Sequence, residues 1–282
     1  MGTKLLSPSD LWQHVVANYD PFTIKFTGLA VVNLISWWIP CVVFVSLEYI
    51  MPSFARRHKM QPEAKSPTGR QLRRCVLVAF GNHLLALVEY IALSHLFSTR
   101  AYPAGNRFDA RLPSLGRFLV EFLLSFILRE IMFYYGHRAF HWRPLYRRIH
   151  KIHHEFTAPI AFASQYAHPL EYVTSDTLPI MLPPMLLRTH IVSTWAFTAG
   201  TLFTSTIIHS GYDFFYQAAW MHDRHHEGAN AYFGAFGALG LLDWAHGTVE
   251  KNRKVKSRCW QSSCNGTEQK ELELLNAKGT GM

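Results

Sequence analysis

The stretch FTGLAVVNLISWWIPCVVFVSL, Phe26–Leu47, runs 22 residues without a charged side chain, which meets the roughly 20 residues a helix needs to cross a bilayer core. The residues ahead of it are polar and mixed, and Trp37, Trp38 and Pro40 stand where a secretory signal would need small residues for cleavage. The run is therefore expected to be a retained span. Residues 75–99 make a second candidate with one acid, Glu89, and residues 118–136 a third, interrupted by Glu121, Arg129 and Glu130. Ionisable groups inside a membrane face a bundle interior or a cavity, so both segments are expected to turn their polar positions inward. Residues 177–187 (TLPIMLPPMLL) are apolar but short and hold Pro179, Pro183 and Pro184, whereas Thr189–Tyr212 carries no Asp, Glu, Lys or Arg for 24 residues. The pair predicts a broken or re-entrant segment followed by a full span.

Composition agrees once it is read by position. The 282 residues are 49% hydrophobic and 17% charged, below the roughly 25% charged of average soluble chains, and the near-zero mean hydropathy of +0.02 averages apolar runs with stretches dense in His and Arg. Four cysteines, Cys41, Cys75, Cys259 and Cys264, are too few to staple a chain of this length, and the last two lack a zinc-site spacing. The net charge of +9 is mostly an orientation signal. Residues 51–74 hold seven Lys or Arg against one acid, and residues 100–114 hold three against one, so the positive-inside rule puts the former loop in the cytosol. Basic runs that flank apolar spans are topology signals before they are phosphate grips, and no nucleic-acid-binding signature accompanies them. The expected organisation is a polar N-terminal segment 1–27, one membrane-embedded domain 28–250 with its catalytic region at about 115–250, and a basic, poorly ordered tail 251–282.

Five of the 16 histidines fall between His137 and His154. YYGHRAFHW places His137 and His141 four apart, IHKIHHE places His150, His153 and His154 at i, i+3 and i+4, and MHDRHHE repeats that spacing with His222, His225 and His226. On a helix such positions share a face, so each group is expected to serve one cation. Eight imidazoles exceed the needs of one metal and suit two. Imidazole suits Zn, Fe, Cu and Ni, but structural zinc sites usually include Cys, and none lies near these clusters. Two redox irons beside the membrane fit the pattern. His14, His58, His83, His95 and His190 read as ordinary polar residues.

HRAFH, HKIHH and HDRHH, separated by an apolar hairpin, resemble the three histidine boxes of the fatty acid hydroxylase superfamily, also called the sterol desaturase family. The resemblance extends to His168-Pro169-Leu170-Glu171, His209-Ser210-Gly211-Tyr212, Leu242-Asp243 and Gly247-Thr248. Within the superfamily the HxxxH first box looks most like the sterol hydroxylase branch that includes cholesterol 25-hydroxylase. It implies an all-α integral membrane protein with about four transmembrane helices, a broken apolar segment and a cytosolic helical cap carrying a histidine-rich di-metal site. It further implies a non-haem di-iron oxygenase that uses O2 to hydroxylate an unactivated C–H bond of a sterol, terpenoid or related lipid, in the endoplasmic reticulum membrane. By the same resemblance His137, His141, His150, His153, His154, His222, His225 and His226 are ligands, with His209 and His168 joining them. His190 and His246 are left out. Glu155, Glu171, Asp223, Glu227 and Asp243 are candidates to orient ligand rings through the second ring nitrogen, and aromatics such as Phe133, Tyr166 and Phe233 to line a substrate slot.

The chain has no haem-binding cytochrome b5 segment and no dinucleotide fingerprint, so the resemblance implies separate electron donors, cytochrome b5 and its reductase. A desaturase or oxidative demethylase on the same metal pair is the nearest alternative. From another class, a non-enzymatic metal carrier would place its ligands along a path through the spans, whereas these gather at one membrane face.

Overall fold

The computed structural model describes residues 7–61, 66–228, 231–234 and 240–249. The expected basic tail, with Cys259, Cys264 and the Asn265-Gly266-Thr267 sequon, lies outside the described residues. Among those residues no strand occurs, and the only β pairings are the isolated bridges Lys59–Tyr212 and Arg107–His190. Helix α1 is Pro8–Asn18, started by a capping box in which Ser7 and Asp10 exchange hydrogen bonds. Helices α2 (Pro21–Asn33) and α3 (Ile39–Ile50) are joined by the π-helical turn Leu34–Trp38 into one 30-residue rod. Asp20 caps its start and Pro21 occupies the first turn, where a missing N–H costs nothing. Short α4 (Pro52–His58) leads to α5 (Gly69–Leu96), opened by a Thr68–Gln71 capping box, and to α6 (Leu115–Phe140). Helix α7 (Arg143–Arg148), a 3-10 helix His150–Glu155 and a second 3-10 turn Ala161–Gln165 follow.

A turn α8 (Pro169–Glu171), the π-helical segment Tyr172–Thr177 and α9 (Leu178–Leu186) form a continuous helical stretch that absorbs all three prolines expected to break it. At about 1.5 Å per residue the nine residues of α9 alone reach about 14 Å, and they pack along α6. Helix α10 (Ile191–Ile208) follows, and after it α11 (Tyr216–Gly228) and α12 (Leu241–Ala245).

Among the described residues three helices are long and apolar enough to cross a membrane, Pro21–Ile50, Gly69–Leu96 and Ile191–Ile208. Helix α6 reaches similar length with its polarity turned inside out. Leu119, Val120, Leu123, Leu124, Ile127 and Ile131 are exposed, while Glu121, Ser125, Arg129 and His137 are buried on the opposite side, the distribution of a helix with lipid outside and polar partners inside. Glu121 pairs with Arg107 and Arg117, and Arg129 with Glu130. Close helix approach is set by Gly28, where an added Cβ would lie 2.1 Å from the Trp195 ring of α10. The main core gathers Trp37, Cys41, Cys75, Ala79, Phe162 and Tyr166. It lies directly beneath the end of the bundle where α6 and α10 deliver their histidines.

Candidate metal centre

Nine imidazoles converge at that end. His137 closes the last turn of α6 and His141 is its C-cap residue, while His209 is the C-cap residue of α10. His150, His153 and His154 sit on the 3-10 helix, and His222, His225 and His226 on α11. Gly136 lets α6 approach the π segment, since a Cβ there would meet Ser175 Oγ at 2.7 Å. The rings sort into two groups whose nitrogens each lie within 4.8 Å of one another: His137, His141, His150, His154 and His225 in one, His153, His209, His222 and His226 in the other.

This division corrects the expectation that each sequence cluster serves a single cation. In all three clusters the i, i+4 pair stays together: His137 with His141, His150 with His154, His222 with His226. The i+3 residue of each HxxHH cluster crosses to the opposite group, so His153 joins the pair from α11 and His225 joins the pair from the 3-10 helix. On α11 the helical pitch accounts for it. Positions i and i+4 differ by about 40° around the axis, whereas i+3 falls about 60° to the other side. The second and third clusters are thereby interlocked, each supplying both groups.

Nitrogen spacing tests whether ions fit. In the first group His137 and His150 Nε2 are 3.2 Å apart, His141 and His150 2.8 Å, His150 and His154 3.0 Å, and His137 and His225 3.1 Å. In the second, His209 and His222 are 2.7 Å apart, His222 and His226 3.0 Å, and His153 and His209 3.5 Å. Two nitrogens about 2.1 Å from one ion at right angles are about 3.0 Å apart, so these separations are those of ligands sharing an ion. The opposite ring nitrogen explains why Nε2 is free to bind. His137 Nδ1–H donates to Phe233 O (2.8 Å), His153 to Tyr166 O (3.2 Å), His209 to Ser205 O (2.9 Å), His225 to Ala231 O (2.6 Å) and His150 to Glu171 Oε1 (2.5 Å). Each bond fixes the proton on Nδ1 and turns the Nε2 lone pair inward. Burial pushes His153 down to about 4 and His154 to about 2. Burial, reinforced by the neighbouring imidazoles, holds His150, His209, His222, His225 and His226 well below the free histidine value. The rings are neutral near pH 7, the form a metal takes, and the donor set fits a pair of transition-metal ions.

His168 does not join them. It caps α8, its Nδ1 accepting from Leu170 N at 3.2 Å, because a residue before proline is held extended and Pro169 at the first helical position makes it the N-cap. His190 does the same for α10, accepting from Val192 N at 3.2 Å. His246 stands apart as well, stacked on Tyr134 and 2.9 Å from Tyr135 Oη. Of the five candidate acids, Glu171 bonds one of the nine rings, His150. Asp243 acts one step removed: it accepts from Phe233 N (2.8 Å), Gly234 N (2.9 Å) and Thr248 Oγ1 (2.6 Å), tying down the loop whose carbonyls receive His137 and His225. Glu155 takes the Tyr166 hydroxyl, Asp223 the Gln61 amide, and Glu227 pairs with Arg224. Tyr166 contributes its backbone carbonyl to His153, a role invisible in its side chain.

Two cavities complete the site. A chamber of about 40 Å³ lies against His137, His150, His153, His209 and His222, with Phe133, Thr201 and Ile208 in its walls. A larger cavity of about 370 Å³ opens among α2, α5 and α10. They share Gln165, Asp176, Ile180 and Leu202. Sequence reading missed Gln165 and Asp176; an acid in the otherwise uncharged run Tyr172–Leu187 was the available signal for the second.

Fold and site define a class, that of all-α membrane proteins with two histidine-only groups, each able to hold a metal ion, at the end of the bundle. A model of the fatty acid hydroxylase family matches residues 122–248. The chain is 31% identical over 229 residues to fatty acid hydroxylase domain-containing protein 2 of Homo sapiens, covering 78% of this chain and 67% of that protein. It is 37% identical over 195 residues to a fatty acid hydroxylase of Mycosarcoma maydis, 68% of this chain and 49% of the relative. With methylsterol monooxygenase 2-2 of Arabidopsis thaliana it shares 26% identity over 259 residues, 87% of this chain and 93% of the relative. No solved structure matches. The chain belongs to the fatty acid hydroxylase family, and with it to the oxidoreductases of the monooxygenase kind.

Proposed function

We propose that the chain is a non-haem di-iron oxygenase that hydroxylates an unactivated C–H bond of a bilayer-derived lipid, its nine inward-facing imidazoles forming two groups that each bind one iron. The observation that carries this reading is the neutral, buried, all-nitrogen donor set placed directly against a cavity that continues into the apolar part of the bundle. The bound irons would supply activation of O2. Overall, the substrate C–H becomes C–OH and the second oxygen atom leaves as water, with two electrons and two protons taken up; the electrons come from a separate donor, for which cytochrome b5 and its reductase are the proposed pair.

The chain's own residues do the rest. His137, His141, His150, His154 and His225 hold one iron, and His153, His209, His222 and His226 the other. Glu171 keeps the His150 proton on Nδ1 and stabilises that ring against rotation. The chamber admits a guest the size of water or O2, while Phe133, Ile180, Leu202 and Ile208 keep bulk water from the oxidising centre. A lipid lying in the larger cavity reaches the chamber only through the shared wall. The seven basic residues in 51–74 favour a cytosolic position for this end, in an endoplasmic reticulum membrane.

Incubating membranes that contain the protein with ¹⁸O₂ and extracted lipids tests the reaction. One ¹⁸O per product molecule is expected. A product that has lost two hydrogens without gaining oxygen would replace hydroxylation by desaturation.

A further inference from the structure

The surface over the first histidine group carries charge of one sign. Of the nine converging rings eight are buried and His141 is partly exposed, so the first group comes nearest to solvent at that ring. Trp142, the next residue, is 64% exposed. The half-buried Tyr146 ring of α7 lies against His141, His154 and His150, with centroids at 5.6, 5.7 and 6.0 Å. Around this opening, residues 131–154 hold Arg138, Arg143, Arg147, Arg148 and Lys151 and no Asp or Glu. All five basic side chains are exposed, and none pairs with an acid among the described residues. The acids that flank the stretch are turned elsewhere, Glu130 to Arg129 and Glu155 to Arg74 and the Tyr166 hydroxyl. Like charges crowded on neighbouring elements repel one another, and a partner of opposite sign relieves the repulsion. An exposed tryptophan among arginines has the composition of a protein interface. Anionic lipid headgroups would answer the charge, but not its placement over the one ring through which the first group approaches solvent.

We propose that α7 and the start of the following 3-10 helix form the docking face for an acidic one-electron carrier protein, and that electrons enter through the first histidine group at His141. The proposal rests on the oxygenase reading above and adds the place where the electron donor attaches. Carboxylates around the carrier's redox group meet Arg143, Arg147, Arg148 and Lys151, and Trp142 supplies the apolar anchor at the middle of the contact. Each docking passes one electron: the carrier is oxidised by one and the metal pair reduced by one, so two dockings supply the two electrons of a turnover. The second histidine group, all four rings of which are buried, is reached from the first across His154 and His226, whose centroids are 4.7 Å apart.

The test measures docking on the full-length protein in nanodiscs of phosphatidylcholine, which carries no net charge, with the soluble haem domain of cytochrome b5 as the acidic probe. The wild-type protein is expected to bind it with an affinity that falls as salt rises. R147E/R148E should weaken binding on the order of tenfold and flatten the salt dependence, whereas R56E/R57E, an equal charge reversal at exposed positions of α4, should leave the affinity within about twofold of wild type. R147Q/R148Q, which removes the charges without reversing them, should fall between, and decides the matter if a thermal melt shows that the reversed variant has not folded. On metal-loaded protein R147E/R148E should slow oxidation of the pre-reduced probe while dithionite reduces the metals at the wild-type rate. No binding by the wild type, equal weakening by the two reversals, an affinity untouched by R147E/R148E, or slowing of both reductions would overturn the proposal. An untouched affinity with selective loss of phosphatidylserine from the lipids that co-purify with the variant would assign the patch to headgroups instead. A wild-type protein that takes up no metal defeats the oxygenase reading, while docking is read without metal and stands or falls by itself.

Discussion

Both ends of the helical bundle bury polar groups, and they use them in opposite ways. At the end where α1 packs, the groups bond to one another within the chain. Lys25 Nζ donates to Ala104 O at 2.8 Å, Trp12 Nε1 to Asp109 O at 2.8 Å, Asn106 Nδ2 to Thr194 Oγ1 at 2.9 Å, and His190 N to Glu121 Oε2 at 3.0 Å. At the other end five of the nine rings spend Nδ1 on the chain, and all nine turn a nitrogen toward one of two shared centres. Burial alone therefore does not mark a site; what separates the ends is whether the partners close on each other or converge on a space that needs a further occupant.

The strongest way to break that contrast is to remove one group from each end. H225A should lose iron and all measurable turnover, because a ring that serves the first group also anchors α11 to the loop at Ala231. K25M should keep full iron content and cost roughly 1–3 kcal/mol of stability by leaving the Ala104 carbonyl unpaired. Elemental analysis with a thermal melt reads both. If K25M lost metal and H225A did not, the assignment of the two ends would be reversed.

A smaller effect is expected at Glu171, which touches a ring without being among the converging nitrogens. E171Q should weaken iron affinity roughly 10- to 100-fold, measured by chelator competition, while the fold survives.

The metal-free protein should also respond to pH. His153 is held down to about 4 and the neighbouring rings are lowered by burial as well, against about 6.5 in an unfolded chain. The unfolded state binds more protons between these values, so the stability is fully present above about pH 6.5 and declines as pH falls toward about 4. The melting midpoint of the apoprotein should drop from about pH 7.5 to about pH 5.5, and bound metal should oppose the drop by competing with protons for the same nitrogens. An apoprotein midpoint that rose on acidification would contradict neutral burial of the rings.

The smallest change is reserved for the histidine that the motif pattern drew in and the fold leaves out. H168A removes an N-cap and should cost about 1 kcal/mol with iron content intact. Loss of metal in that variant would return His168 to the site.

Where sequence reading worked, it rested on local physics. The uncharged run from Phe26 and the inward-facing charges of the third apolar segment follow from what a bilayer tolerates, and α6 realises them with Glu121, Ser125 and Arg129 buried behind an exposed leucine and isoleucine stripe. The three histidine clusters were legible for the same reason, since i, i+4 spacing brings rings together on any helix. What escaped depends on three-dimensional exchange. Helical pitch separates His225 from His222 and His226, but which group His153 and His225 join follows from how the 3-10 helix and α11 face each other, which spacing alone does not encode. The carbonyls of Ala231, Phe233 and Tyr166 that orient three of the rings belong to the backbone, so residue type carries no trace of them. His168 was misplaced because His-Pro-Leu-Glu fits a ligand motif and a helix cap equally well until the direction of Nδ1 is known.

The interlocked grouping is tested most directly by counting metal in a protein that has lost one group alone. The account predicts two irons per wild-type chain and close to one in H222A/H226A, because that substitution empties the four-histidine group and leaves His137, His141, His150, His154 and His225 in place. Two irons retained by the double variant, or one in the wild type, would contradict it.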